Sequence, residues 1–76
     1  MNKLLSEFAI GESGTVVKVM GEGAIRRRLF DMGITPGAHI YFRKKAPLGD
    51  PIEITLRGYE LTLRRAEAAF VEMKLD

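Results

Sequence analysis

The sequence predicts a mainly β domain: a small, highly curved antiparallel barrel of about five short strands, with one helix after the first strand and a short helical turn before the last. Three observations carry this expectation. Apolar and polar residues alternate with period two in several stretches after residue 37, as in strands covered on one face. Glycine and proline close each run within a few residues, as tight turns between short strands require. A single stretch, Ala24 to Met32, carries clear helical spacing.

The first strand is expected over Gly14 to Met20, where Thr-Val-Val-Lys-Val-Met is rich in β-branched residues and glycines stand at 11, 14 and 21. After Gly21-Glu22-Gly23, Ile25, Leu29 and Met32 fall at i, i+4 and i+7 and share one helical face, leaving the Arg26-Arg27-Arg28 triplet facing mostly outward. Gly33 is placed to end that helix in a left-handed conformation, and Pro36 blocks its continuation. Thr35-Pro36-Gly37 reads as a turn.

A second strand runs over Ala38 to Lys45, with Ile40 and Phe42 on one face and His39, Tyr41 and Arg43 on the other. Pro47 to Pro51 breaks the ladder, because proline donates no backbone hydrogen bond. Ile52, Ile54 and Leu56 then alternate with Glu53, Thr55 and Arg57, and Tyr59, Leu61 and Leu63 with Glu60, Thr62 and Arg64. That pattern is a hairpin turning near Arg57-Gly58. Arg65 to Ala69 favours one helical turn, and Phe70 to Leu75 returns to a strand with Val71, Met73 and Leu75 inward.

Seventy-six residues make one domain, 1–76, near the lower limit for a self-sufficient core. With 46% apolar and 29% charged residues the composition is that of a folded domain rather than a disordered tail. There is no cysteine, so no disulfide, thiolate metal site or thiol nucleophile is available. Neither a secretory apolar core near the N-terminus nor a membrane-length apolar run is present, and the expectation is a cytoplasmic protein that is not inserted in a membrane. The twelve basic and ten acidic side chains leave a net charge of only +2, but eight of the cations cluster at 26–28, 43–45 and 64–65.

Residues able to do chemistry are sparse. His39 is the only histidine and falls on the polar face of its strand; Asp31, Asp50, Glu53 and Glu60 stand at no spacing diagnostic of a metal site. Ser6 and Ser13 lie in the N-terminal segment, and Gly21-Glu22-Gly23 lacks the lysine and hydroxyl of a phosphate-cradling loop. No catalytic residue, cofactor site or metal site is therefore assigned. A basic barrel binding RNA or single-stranded DNA is the alternative, with Tyr41 and Tyr59 as the available stacking platforms, but the acidic residues dilute the field and stable nucleic-acid binding is not expected. Recognition of a proline-rich segment is a third reading.

The string Leu29-Phe30-Asp31-Met32-Gly33-Ile34-Thr35-Pro36-Gly37, followed by Ala46-Pro47-Leu48-Gly49-Asp50-Pro51 and by Leu63-Arg64 with Ala69, resembles the FeoA family of bacterial ferrous-iron uptake components. The resemblance implies an SH3-like barrel and an accessory role beside FeoB, the membrane GTPase that carries ferrous iron. It implies action by protein contact. Exposed strand edges in so small a barrel are compatible with a monomer or weak homo-oligomer. The segments whose motif residues exceed what a turn needs are the candidate partner-binding surface: Arg26, Arg27, Arg28, Leu29, Met32 and Pro36 on the helix and its following turn, and Pro47, Leu48 and Asp50 on the second loop. Leu29 and Met32 also suit a core role, and the helix spacing favours it.

Overall fold

The alternation over Ile52 to Leu63 folds as a two-residue hairpin in this computed structural model, which describes residues 1–76. Its strands, β4 (Ile52–Leu56) and β5 (Tyr59–Leu63), pair antiparallel, with Leu56 opposite Tyr59 at the turn end and Ile52 opposite Leu63 at the other. Arg57 (φ 51°) and Gly58 (φ 82°) both take positive φ. That is the turn geometry whose twist matches the flanking strands.

Four more strands extend the sheet: β1 (Asn2–Leu4), β2 (Ser13–Val19), β3 (His39–Lys45) and β6 (Val71–Leu75). Their spatial order is β1-β6-β2-β3-β4-β5, every pair antiparallel. The chain thus has one strand more than expected. The additional element is β1, a three-residue strand whose order comes from pairing with β6 and not from any pattern of its own. It ends in a single 3₁₀ turn over Leu5–Glu7.

Two register shifts bend the sheet into a barrel, one at Val17 of β2 against β6 and one at Arg43 of β3 against β4. An extra residue on one strand strengthens the local twist and redirects a side chain. Inside, Leu5, Phe8, Val16, Ile34, Ile40, Phe42, Ile54, Val71 and Met73 are buried with the inward residues of the hairpin. Phe8 and Phe42 are buried in the core, whereas Phe30 and Phe70 are only partly buried against it.

The expected helix forms as α1 (Gly23–Asp31), and α2 (Arg65–Ala68) is the single turn before β6. Leu29 is the one fully buried residue of α1; Ile25 and Met32 on the same face are half-buried. Gly33, at φ 92°, ends the helix. The N–H of Gly33 donates to the Phe30 carbonyl at 2.9 Å and that of Ile34 to the Leu29 carbonyl at 3.0 Å. This double closure satisfies carbonyls that would otherwise be orphaned, and it buries Ile34 beside Leu29.

Candidate functional site

The three consecutive arginines of α1 have three different environments. Arg26 lays its guanidinium 4.6 Å from the centre of the Phe30 ring and donates from Nε to the Val19 carbonyl at 3.4 Å. Arg28 pairs through Nε with Oε2 of Glu67 at 2.7 Å. Arg27 makes neither an ion pair nor a side-chain hydrogen bond, and borders shallow recesses beside Phe30 and Met32. Of the triplet, Arg27 is the cation left available to a partner.

Glu67 explains the difference at Arg28. Only 7% exposed, it is the one charged residue buried in the chain. Its Oε1 accepts the backbone N–H of Arg64 at 2.8 Å, closing the start of α2, while Oε2 takes Arg28. A buried carboxylate needs such partners for both oxygens. Arg28 therefore ties α1 to α2 as well as facing solvent.

The loop over residues 46–51 is held from within. Gly49 N–H donates to the Ala46 carbonyl at 2.7 Å, Ala46 N–H to the Pro51 carbonyl at 3.0 Å, and the Asp50–Pro51 peptide is cis. Asp50 Oδ1 accepts the N–H of Arg65, the first residue of α2, at 3.0 Å. Leu48, at the tip between Pro47 and Gly49, is 95% exposed. A large apolar side chain is thus presented on a braced backbone.

The two candidate segments consequently meet the same short helix: Asp50 holds its first residue and Arg28 its buried glutamate. Pro36, exposed after the α1 turn, borders a recess shared with Met20 and Arg26. Met32 is half-buried at the end of α1. Leu29 must be withdrawn from the contact surface, because at 0% exposure it cannot touch a partner while α1 is folded. The helical spacing that places it with Ile25 and Met32 makes it a core residue.

Elsewhere, several charged side chains pair with one another. Arg43, redirected by its bulge, lies 2.9 Å from Glu60 and 3.5 Å from Glu53. Tyr41 and Tyr59 are exposed, but the register puts them on opposite faces of the sheet, and Arg43 is paired with these glutamates. No three His, Asp or Glu side chains converge as a metal site would require.

Two contacts were not legible at all. Asp76 Oδ2 accepts the Ser13 hydroxyl at 2.6 Å and lies 2.8 Å from His39 Nε2. The carboxylate sits between the other two, so the serine hydroxyl is bonded to Asp76 and not to the imidazole, which is the wrong wiring for a nucleophile and its base. The hydroxyl, then His39, hold the Asp76 carboxyl below the usual aspartate range. Glu12 is likewise lowered, first by the Ala9 N–H at 2.7 Å and then by Lys3 at 2.8 Å. Both cross-links are between distant or irregular segments; only the glutamate three residues after Arg64 gave a sequence signal for Glu67.

Residues 3–75 match the family model of the FeoA domain. The chain belongs to the FeoA family. It is 38% identical over 71 residues to an Fe(2+) transport protein A/Fe(2+) transporter FeoB fusion protein of Porphyromonas gingivalis, a match covering 93% of this chain and 8% of that relative. The NMR structure of a FeoA-like protein from Clostridium acetobutylicum superposes with a TM-score of 0.91 at 40% identity, covering 97% of this chain and 86% of that one. The zinc complex of Stenotrophomonas maltophilia FeoA, described as a procaryotic SH3 domain protein and a possible ferrous-iron transport activating factor, superposes at 0.80 with 29% identity, covering 97% and 89%. The SH3-like fold and the family's association with ferrous-iron transport agree with the motif resemblance. No helix is long and apolar enough to cross a membrane.

Proposed function

We propose that this FeoA-family barrel is a non-enzymatic, cytoplasmic accessory of ferrous-iron uptake that acts by docking on a FeoB-type membrane GTPase. The observation that carries the reading is the Porphyromonas gingivalis relative, in which a segment 38% identical to this chain is fused to FeoB. Covalent fusion raises the effective concentration of two modules that work together. A docked barrel changes the transporter's behaviour by binding one of its conformations better than another.

The docking surface comprises Arg27, Pro36 and the exposed edge of Met32 on the α1 side, and Pro47 and Leu48 on the loop. Arg27 supplies an unpaired cation and Leu48 an exposed apolar side chain. Arg26, Arg28 and Asp50 hold the surface in shape through Phe30, Glu67 and Arg65. The test is ferrous-iron uptake in a strain lacking this gene but retaining the transporter. Wild-type chain restores uptake, whereas an Arg27→Glu, Leu48→Ser double variant, folded and equally abundant, does not. Full restoration by the double variant removes this surface, and normal uptake without the chain removes the function.

A further inference from the structure

The two edges of the sheet are built differently. At the β1 edge the strand has three residues, Lys3 is held by Glu12 at 2.8 Å, and the chain turns away at once into Leu5–Glu7. Shortness, lysine and a sharp exit are the usual ways of discouraging another strand from adding to an edge. The β5 edge has five residues, continuous register with β4, and neither proline nor lysine.

In a two-residue hairpin the closing pair exchanges hydrogen bonds and the pairs then alternate. Tyr59, Leu61 and Leu63 therefore bond to Leu56, Ile54 and Ile52, and Glu60 and Thr62 turn their N–H and C=O groups to the open edge. Neither residue makes a backbone bond elsewhere in the turns and loops. Tyr59 is 71% exposed and Leu61 half-buried on the adjoining face.

We propose that β5 pairs with β5 of a second copy of this chain, antiparallel about a two-fold axis at Leu61. The sequence Tyr-Glu-Leu-Thr-Leu is self-complementary in that register. Glu60 lies opposite Thr62 of the second copy, so the free backbone groups bond to each other and no like charges face across the seam. Leu61, half-buried, meets Leu61 of the second copy, and Tyr59, 71% exposed, stands at each end of the seam. Beside Thr62 lies a cleft of about 340 Å³ lined by Lys44, Lys45, Pro47 and Pro51. Lys45 at its mouth has no carboxylate partner within its own chain, and Glu60 of the second copy, paired with Arg43 of that copy, stands opposite Thr62 beside it. Any two-fold dimer must use the same patch on both copies, and this edge satisfies that condition by charge, hydrogen bonding and apolar contact together.

Backbone amide exchange of the wild-type chain, measured with sedimentation velocity at dilute and concentrated protein, tests this directly. At high concentration the Glu60 and Thr62 amides should exchange about tenfold more slowly as the sedimenting species doubles in mass, while the Leu61 amide, already bonded to Ile54, is unchanged. Thr62→Pro removes a donor from the open edge without touching the β4 ladder and should abolish the dimer with unchanged melting. If that variant fails to fold, Glu60→Lys with Thr62→Lys puts like charges opposite one another and should do the same. Exchange at Glu60 and Thr62 that is independent of concentration, protection that develops instead at Lys3, or a dimer that persists in the folded variants overturns the proposal.

Discussion

Leu29→Ala tests how α1 is held. Leu29 is the only fully buried residue of the helix and is 0% exposed. Removing its three terminal carbons forfeits about 2 kcal/mol of apolar transfer, at roughly 0.8 kcal/mol per methylene-sized group. The residual cavity beside Ile34 adds to that, giving a total of about 3 kcal/mol, inside the range for buried leucine truncations. A chain of this size has a total stability on the order of 4 to 11 kcal/mol, so the loss is a large fraction of it. Urea titration followed by far-UV circular dichroism should show a lower midpoint with unchanged slope, and melting should fall by roughly 12 to 24 °C. A variant within about 1 kcal/mol of wild type would refute the reasoning, because a site that closes without cost cannot be the helix's anchor.

Arg27→Glu should leave stability within about 0.5 kcal/mol of wild type, as for a surface side chain without partners, while weakening capture of the transporter; calorimetric melting beside a pull-down separates the two. Arg28→Ala should instead cost about 1 kcal/mol, reduced from the usual value for a charged hydrogen bond because Arg28 is 63% exposed and water can partly replace it. Glu67→Ala, which also uncaps α2, should cost about 2 kcal/mol in the same urea titration. The lowered carboxyls of Glu12 and Asp76 set the sign of acid sensitivity: their contribution is present above the unfolded-state values and is lost as the pH falls through the lower folded ones. Urea midpoints measured below pH 5 should therefore fall less steeply for Glu12→Gln and Asp76→Asn than for wild type.

What could be read in advance was whatever has a period or a turn signal. The hairpin from Ile52 to Leu63 was legible because five residues alternate on each side of Arg57-Gly58, and α1 because Ile25, Leu29 and Met32 share a face that ends at Gly33. The same periodicity made Leu29 a core residue, which overrides its place in the family motif as a contact candidate. β1 left no trace in the sequence because three residues cannot show a period; their order is borrowed from β6. The division of labour among Arg26, Arg27 and Arg28 was equally hidden. It depends on Phe30 below one, Glu67 beside another, and nothing beside the third, and Glu67 comes from a helix 39 positions away. Asp50 had the loop motif to mark it, but its bond to the Arg65 amide required the fold.

Isothermal titration of the purified chain into the purified cytoplasmic portion of a FeoB-type transporter from the same cell, the proposed partner, tests the central claim most directly. The account predicts saturable one-site binding that Arg27→Glu and Leu48→Ser each weaken, and that Lys74→Glu, on β6 and outside the proposed surface, leaves intact. No heat of association with a folded, nucleotide-binding transporter domain, or binding indifferent to Arg27 and Leu48 together, would contradict it.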